Sequence, residues 1–172
     1  MADSPRLLYW DTSMFLCFLN KKEAERRKIA QDILENARKG RVVIITSWFT
    51  VAEVIRPKAV PPGQKLTPDQ ISKIEGMFRW KWLKKIQVHE LIAFKAVELA
   101  RNYNLKPADS IHAATAVIEN VDALHAWDRD YSVLDIILNI EEPKMISIQP
   151  SFDGMEPQPG PTPEDVGEKG KD

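Results

Sequence analysis

Apolar and polar positions along the chain follow two alternating rhythms. Residues 7–11, LLYWD, form a short apolar run rich in strand formers that breaks at Asp11-Thr12-Ser13, residue types that open a helix after a buried strand. Over residues 21–39 the apolar positions Ala24, Ile29, Ala30, Ile33, Leu34 and Ala37 recur with a period of about 3.6, and Gly40 supplies the stop. Residues 42–46, VVIIT, are a continuous β-branched run, as expected of a strand covered on both faces. Residues 49–55 return to helical spacing until Pro57 ends them.

Residues 57–63 read as a loop, after which Thr67, Pro68 and Gln70 supply an N-cap, a helix-compatible first position and a capping-box partner. They predict a helix running toward Trp80 or Trp82. Residues 85–89 make a short strand, residues 91–103 a helix ended by Asn104, and Pro107 opens a helix through Asn120. A final central strand over 123–127 leads into Asp128, and residues 145–149 read as an edge strand before Pro150. Strands alternating with helices imply βαβ crossovers, hence a three-layer α/β/α fold around a mostly parallel central sheet. Past Pro150 the pattern stops. Residues 151–172 hold four prolines, four glycines and eight charges, too little apolar surface to offset chain entropy. The expected organisation is one α/β domain over residues 1–150 and a disordered, acidic, Pro/Gly-rich tail over 151–172. No internal repeat and no glycine-rich phosphate loop is visible.

Composition narrows the class. With 172 residues, 44% of them hydrophobic, the chain can bury one core. The lone Cys17 sits in an apolar run and cannot form an internal disulfide, which suits a reducing compartment. No apolar stretch approaches the roughly 18–20 residues of a membrane span, and MADSPRLLYWD lacks the pattern of a secretory signal. The expected location is the cytoplasm, with no membrane contact. The net charge of −1 conceals an acidic tail of −4 and a body of +3, a balance compatible with a nucleic-acid substrate without arguing for one.

The candidate chemistry lies in carboxylates. In open α/β sheets ligands collect at the carboxyl ends of the strands. Asp11 and Asp128 each follow an apolar strand, Glu53 lies on the helix after the second strand, and Asp109 falls in the first turn of the helix after Pro107. Those helices begin on the side where the strands end, so all four acids are expected to converge. Like charges so placed raise one another's pKa and call for a cation. Zinc spacing of His and Cys is absent, whereas carboxylate oxygens suit Mg²⁺ or Mn²⁺, ions that activate water and stabilise charge in phosphoryl transfer. Each acid also has an ordinary reading: Asp11 as a helix cap, Asp109 as a complement to the helix dipole, Glu53 as a solvated helix residue, Asp128 and Asp130 as turn acids binding backbone amides.

The order LLYWDTSMFL, TSWFTVAEVIRP, LKPADSIHAATA and HAWDRDYSVL resembles the PIN domain, especially the VapC-like toxins of bacterial toxin–antitoxin pairs. The resemblance spans about residues 7–135, and ADSIHAATA is its most specific segment. It implies a metal-dependent ribonuclease whose acidic metal site corresponds to Asp11, Glu53, Asp109 and Asp128, with Asp130 at the less regular second acid of the last motif. It further implies an RNA substrate, a homodimer and a small antitoxin partner. Residues 57–83 are longer than in a minimal toxin of this kind, and Trp127 stands where a small or hydroxyl residue is commoner.

Three secondary features remain. Ser13 follows the first acid and suits either a cap or a hold on a water or phosphate oxygen. His112 stands one turn after Asp109, either packed or acting as a base. Arg79, Trp80, Lys81, Trp82 and Lys84 interleave basic and aromatic groups, a pattern that suits either single-stranded RNA or a helix end packed on the core. The function expected is an endoribonuclease toxin; the competing readings are a catalytically silent PIN module that binds RNA or protein, and a structure-specific DNA nuclease.

Overall fold

The computed structural model of the chain describes residues 4–55, 65–127 and 129–146. Its elements run β1 (Arg6–Trp10), α1 (Thr12–Leu19), α2 (Ala24–Arg38), β2 (Val42–Ser47), α3 (Trp48–Val54), α4 (Pro68–Phe78), β3 (Lys84–Ile86), α5 (Glu90–Tyr103), α6 (Pro107–Ile118), β4 (Ala123–His125), a 3-10 turn (Arg129–Leu134) and β5 (Ile140–Glu141). The strands form a five-stranded sheet in the order β3-β2-β1-β4-β5, with every pairing parallel. The expectation of a mostly parallel sheet is thus met by a wholly parallel one, and β1 lies at its centre.

The side-chain period of two explains the layers. Leu8, Trp10, Ile44 and Ala123 point to one face, where Met14 and Phe15 of α1, Ile33 of α2 and Phe78 of α4 cover them. Tyr9, Ile45 and Leu124 point to the other face, under Ile92 and Leu99 of α5 and Ala113, Ala114 and Ala116 of α6. The alanines of α6 carry little side-chain bulk, which suits a helix packed closely on the sheet. Cys17 is buried, in keeping with a filler role.

Local signals behave as expected at most boundaries. Thr67 and Gln70 make the reciprocal capping box. Asn104 and Asn120 take left-handed φ of 53° and 48° after α5 and α6, the conformation Asn tolerates best after Gly. Gly40 does the same after α2 at φ 74°.

Four boundaries move. The strand expected over 85–89 is only Lys84–Ile86, and that expected over 123–127 is only Ala123–His125. Helix α4 stops at Phe78, short of the tryptophans, because the chain turns to bring Trp80 and Trp82 back over the core, where their rings stack with centroids 4.8 Å apart. The edge strand expected from residue 145 is displaced to Ile140–Glu141, which the backbone bonds Leu124 N–H to Asn139 O and Ala126 N–H to Glu141 O tie to β4. Pro143 has no N–H with which to continue that ladder, and the Ile146 N–H donates instead to Asp32 Oδ2 of α2 at 2.7 Å. Residues 147–149 and the tail over 151–172 lie outside the described residues. Among the described residues no helix is long and apolar enough to cross a membrane.

One buried polar pair ties stability to pH. The Trp10 indole N–H donates to His125 Nδ1 at 3.2 Å, so this nitrogen must be an acceptor and the ring neutral. Burial pushes the His125 pKa down to about 4, against the opposing pull of Glu141, while Arg6 adds to the depression. The unfolded chain therefore takes up a proton near the ordinary value of 6.5 that the folded protein refuses until about 4. Stability is full above that window, falls as pH drops through it, and levels out below. Denaturant midpoints at pH 7 and pH 4.5 are expected to differ more for the parent than for His125→Gln, which has no proton to gain.

Candidate active site

A cleft of about 230 Å³ opens at the carboxyl end of β1, lined by Asp11, Thr12, Ser13, Leu16, Glu53, Asp109, His112, Ala126, Asp130 and Tyr131. Parallel pairing puts the end of β1 beside the ends of β2 and β4, and the helices that follow bring their side chains to the same rim. Among the described lining residues there is no lysine or arginine. Asp11, Glu53, Asp109 and Asp130 therefore share one small space, as do Ser13 and His112. Asp128 lies outside the described residues, although in sequence it stands between Ala126 and Asp130, which both line the cleft.

Each acid is held differently. Asp11 is the N-cap of α1: its Oδ1 accepts from the Ser13 N–H at 2.9 Å, the Ser13 hydroxyl at 2.6 Å and the Met14 N–H at 3.4 Å. Its Oδ2 accepts from the Tyr131 hydroxyl at 3.2 Å. The capping reading of Asp11 and its place in the cleft are thus both true, and Ser13 serves the cap. Glu53 Oε2 accepts from the Thr12 hydroxyl at 2.5 Å and lies 2.9 Å from His112 Nε2.

His112 is buried at 2% exposure, and its Nδ1 lies 2.9 Å from the Tyr9 hydroxyl. Burial, more than the nearby Asp11 and Glu53, raises the Tyr9 pKa far above its ordinary range, so the phenol keeps its proton and donates to Nδ1. A phenol donating to Nδ1 leaves an imidazole N–H on Nε2, directed at Glu53. A chain of donors runs from β1 through α6 to α3, which makes His112 a packed histidine with a polar task. Sequence spacing showed the neighbours of His112 on its own helix but not this chain, because Tyr9 and Glu53 are 103 and 59 residues away.

Asp109 lies in the first turn of α6 and makes no side-chain hydrogen bond among the described residues. Burial raises its pKa; Asp130 and Asp11 push it further, against Lys106 and His112. Mutual repulsion among the acids is thus present, but smaller than desolvation and opposed by Lys106. Among the described residues no three His, Cys, Asp or Glu side chains stand close enough together to hold a metal ion.

The basic and aromatic segment stands apart from the cleft lining. Trp80 and Trp82 pack against the core, Arg79 pairs with Glu75, and Lys84 pairs with Glu119 at 2.8 Å. Thr12, Tyr9 and Tyr131 are the polar residues of the site that the sequence reading did not single out. Thr12 was legible inside the DTS segment, whereas a tyrosine in an apolar strand or turn reads as core.

The sequence profile of the PIN domain matches residues 8–137. The chain belongs to the PIN-domain family. Solved structures share its fold. A toxin–antitoxin complex from Klebsiella pneumoniae is similar at 20% identity and a TM-score of 0.57, over 81% of this chain and 99% of the other. VapBC2 from Rickettsia felis, bound to a DNA fragment from its promoter, is similar at 16% identity and a TM-score of 0.58, over 80% and 99%. VapC20 of Mycobacterium tuberculosis, a sarcin-ricin loop cleaving toxin, is similar at 16% identity and a TM-score of 0.58, over 73% and 92%. No curated protein matches the chain by sequence. The match from residue 8 to 137 takes in Asp11, Glu53, Asp109, Asp128 and Asp130 of this PIN domain.

The raised pKa of Asp109 has a testable consequence. In the metal-free protein the folded state holds the Asp109 proton more tightly than the unfolded chain does, so stability declines as pH rises from the ordinary carboxylate range through the raised value. Asp109→Asn carries no such charge. Measured in EDTA, the variant should match the parent at low pH and become equally or more stable toward neutrality. A variant less stable than the parent at neutral pH would show that the carboxylate serves α6 as a stabilising acid.

Proposed function

We propose that this PIN domain is a divalent-metal-dependent endoribonuclease and the toxin of a toxin–antitoxin pair. The observation that carries the reading is the cleft at the carboxyl end of β1, where Asp11, Glu53, Asp109 and Asp130 gather without a lysine or arginine in the described lining. The donor set is made of carboxylate and hydroxyl oxygens and fits a hard cation, Mg²⁺ or Mn²⁺, better than zinc. Asp11, Glu53, Asp109 and Asp128, with Asp130 beside them, would hold it. A cation held by the few acids within reach would keep several waters among its ligands, as Mg²⁺ usually does.

The cation, when bound, lowers the pKa of a water and offsets the charge of the phosphodiester. The chain's own contribution is orientation. Ser13 and Tyr131 fix Asp11, while Thr12 and His112 fix Glu53. Asp109 and Asp130 complete an acidic wall that repels a phosphate backbone until a cation is present.

The substrate is RNA, a reading supported by the similarity to VapC20, a sarcin-ricin loop cleaving toxin. The partners are a small antitoxin, a reading supported by the similarity to a toxin–antitoxin complex from Klebsiella pneumoniae, and a second copy of the chain. Leu91, Phe94 and Val97 on one side of α5 are 68%, 65% and 56% exposed, apolar surface of the kind that assembly covers.

The test is cleavage of RNA with Mg²⁺ or Mn²⁺, repeated in EDTA. Asp11→Asn, Asp109→Asn and Asp128→Asn should each remain folded and lose more activity than the ~10–100-fold typical of an outer-shell change, since each removes a negative ligand. Normal turnover by two of them at limiting metal would overturn the assignment. RNA bound but uncut at saturating Mn²⁺ would make the protein a silent binding module instead.

A further inference from the structure

We propose that Tyr131 is a positioning residue for Asp11, its hydroxyl fixing the direction of Oδ2 so that this oxygen is pre-aimed at the cation. The inference rests on the metal-dependent reading above and adds a residue that reading does not contain.

The two oxygens of Asp11 have separate duties. Oδ1 is taken up by three donors at the start of α1: the Ser13 N–H, the Ser13 hydroxyl and the Met14 N–H. Among the described residues Oδ2 receives only the Tyr131 hydroxyl, at 3.2 Å. A carboxylate oxygen has two lone pairs, so Oδ2 can accept this proton and still offer a pair to a cation. With Oδ1 committed to the helix, Asp11 would act as a monodentate ligand, and Tyr131 sets the plane in which the remaining pair points.

Tyr131 can do this because it is itself fixed. It is 3% exposed and packed with Leu134 and Leu138 in the core beneath the cleft. It also lies on the 3-10 turn next to Asp130, so one ring anchors both that turn and the Asp11 carboxylate. Asp109 and Asp130, by contrast, have no side-chain hydrogen bond among the described residues. The site therefore combines two fixed carboxylates, Asp11 and Glu53, with two that can adapt to an incoming ion.

Loss of a hydrogen bond to a liganding carboxylate typically weakens metal binding by ~10–100-fold. The experiment is Mn²⁺ titration of the full metal-free chain by calorimetry, for the parent, Tyr131→Phe, Asp11→Asn and the double variant. Tyr131→Phe keeps the ring and its packing and removes one oxygen. It should bind Mn²⁺ about 10-fold or more weakly than the parent. In the Asp11→Asn background the same change should have little further effect, because the ligand it positions has already been altered. A purely structural tyrosine would lower the melting temperature equally in both backgrounds and leave Mn²⁺ affinity unchanged. Equal affinity of parent and Tyr131→Phe overturns the role of Tyr131 and leaves the metal site standing; absence of Mn²⁺ binding to the parent overturns the metal site and this inference with it.

Discussion

Parallel pairing of β1 with β2 on one side and β4 on the other constrains the rest of the molecule. Parallel neighbours cannot be joined by a tight hairpin, so each connection returns along a face of the sheet, and a helix is the form that satisfies its own backbone on the way. Both faces are thereby covered, which is why β1 and β2 are apolar throughout their inner registers. Tyr9 and Trp10 are fully buried on opposite sides of one strand. The same constraint gathers the carboxyl ends of β1, β2 and β4 on one side, where the backbone must leave the sheet and polar residues are tolerated. The cleft is the consequence of a topology that the core requires.

At that rim the protein keeps acids beside buried apolar side chains, and it does so by giving some of them donors. Asp11 is neutralised locally by the N-terminus of α1, where backbone N–H groups need an acceptor in any case. Glu53 is held by Thr12 and by an imidazole that is oriented in turn by Tyr9. Asp109 has neither arrangement, and its carboxyl is accordingly pushed toward the neutral form. Under the proposed metal-dependent function, a cation entering this rim would couple ligand binding to stability.

The hydroxyl and imidazole groups behind the acids give this cleft its particular character. Four aromatic or polar side chains, Tyr9, Thr12, His112 and Tyr131, come from β1, α1, α6 and the 3-10 turn, and all act through a carboxylate or through one another. Low dielectric strengthens such bonds and also makes an unpaired member expensive, so the network tends to persist as a unit. The basic and aromatic segment, apart from the cleft, follows a different logic. There the indoles of Trp80 and Trp82 cover each other and the core, and the cations near them are largely paired on the surface.

Much of this was legible in the chain itself. Continuous β-branched residues at 42–46 read as a strand buried on two faces, and the alternation with amphipathic helices implied a largely parallel sheet. Thr67 with Gln70, Gly40 and Asn104 marked helix ends because capping is chemistry between near neighbours. Strand ends and helix starts led to the expectation of Asp11, Glu53, Asp109 and Asp128 at one rim; Asp11, Glu53 and Asp109 line the cleft, Asp130 came only from the family resemblance, and Asp128 lies outside the described residues. Tertiary structure decided what neighbours in sequence do not control. It shortened the strands at Lys84–Ile86 and Ala123–His125 and moved the sheet edge to Ile140–Glu141, since strand length depends on the partner across the ladder. It also decided which donors reach the acids: Tyr9 to His112, His112 to Glu53 and Tyr131 to Asp11 join residues 103, 59 and 120 positions apart. A hydrogen bond depends on distances of a few tenths of an ångström between groups that only the packed core brings together, and no local pattern in the chain encodes that.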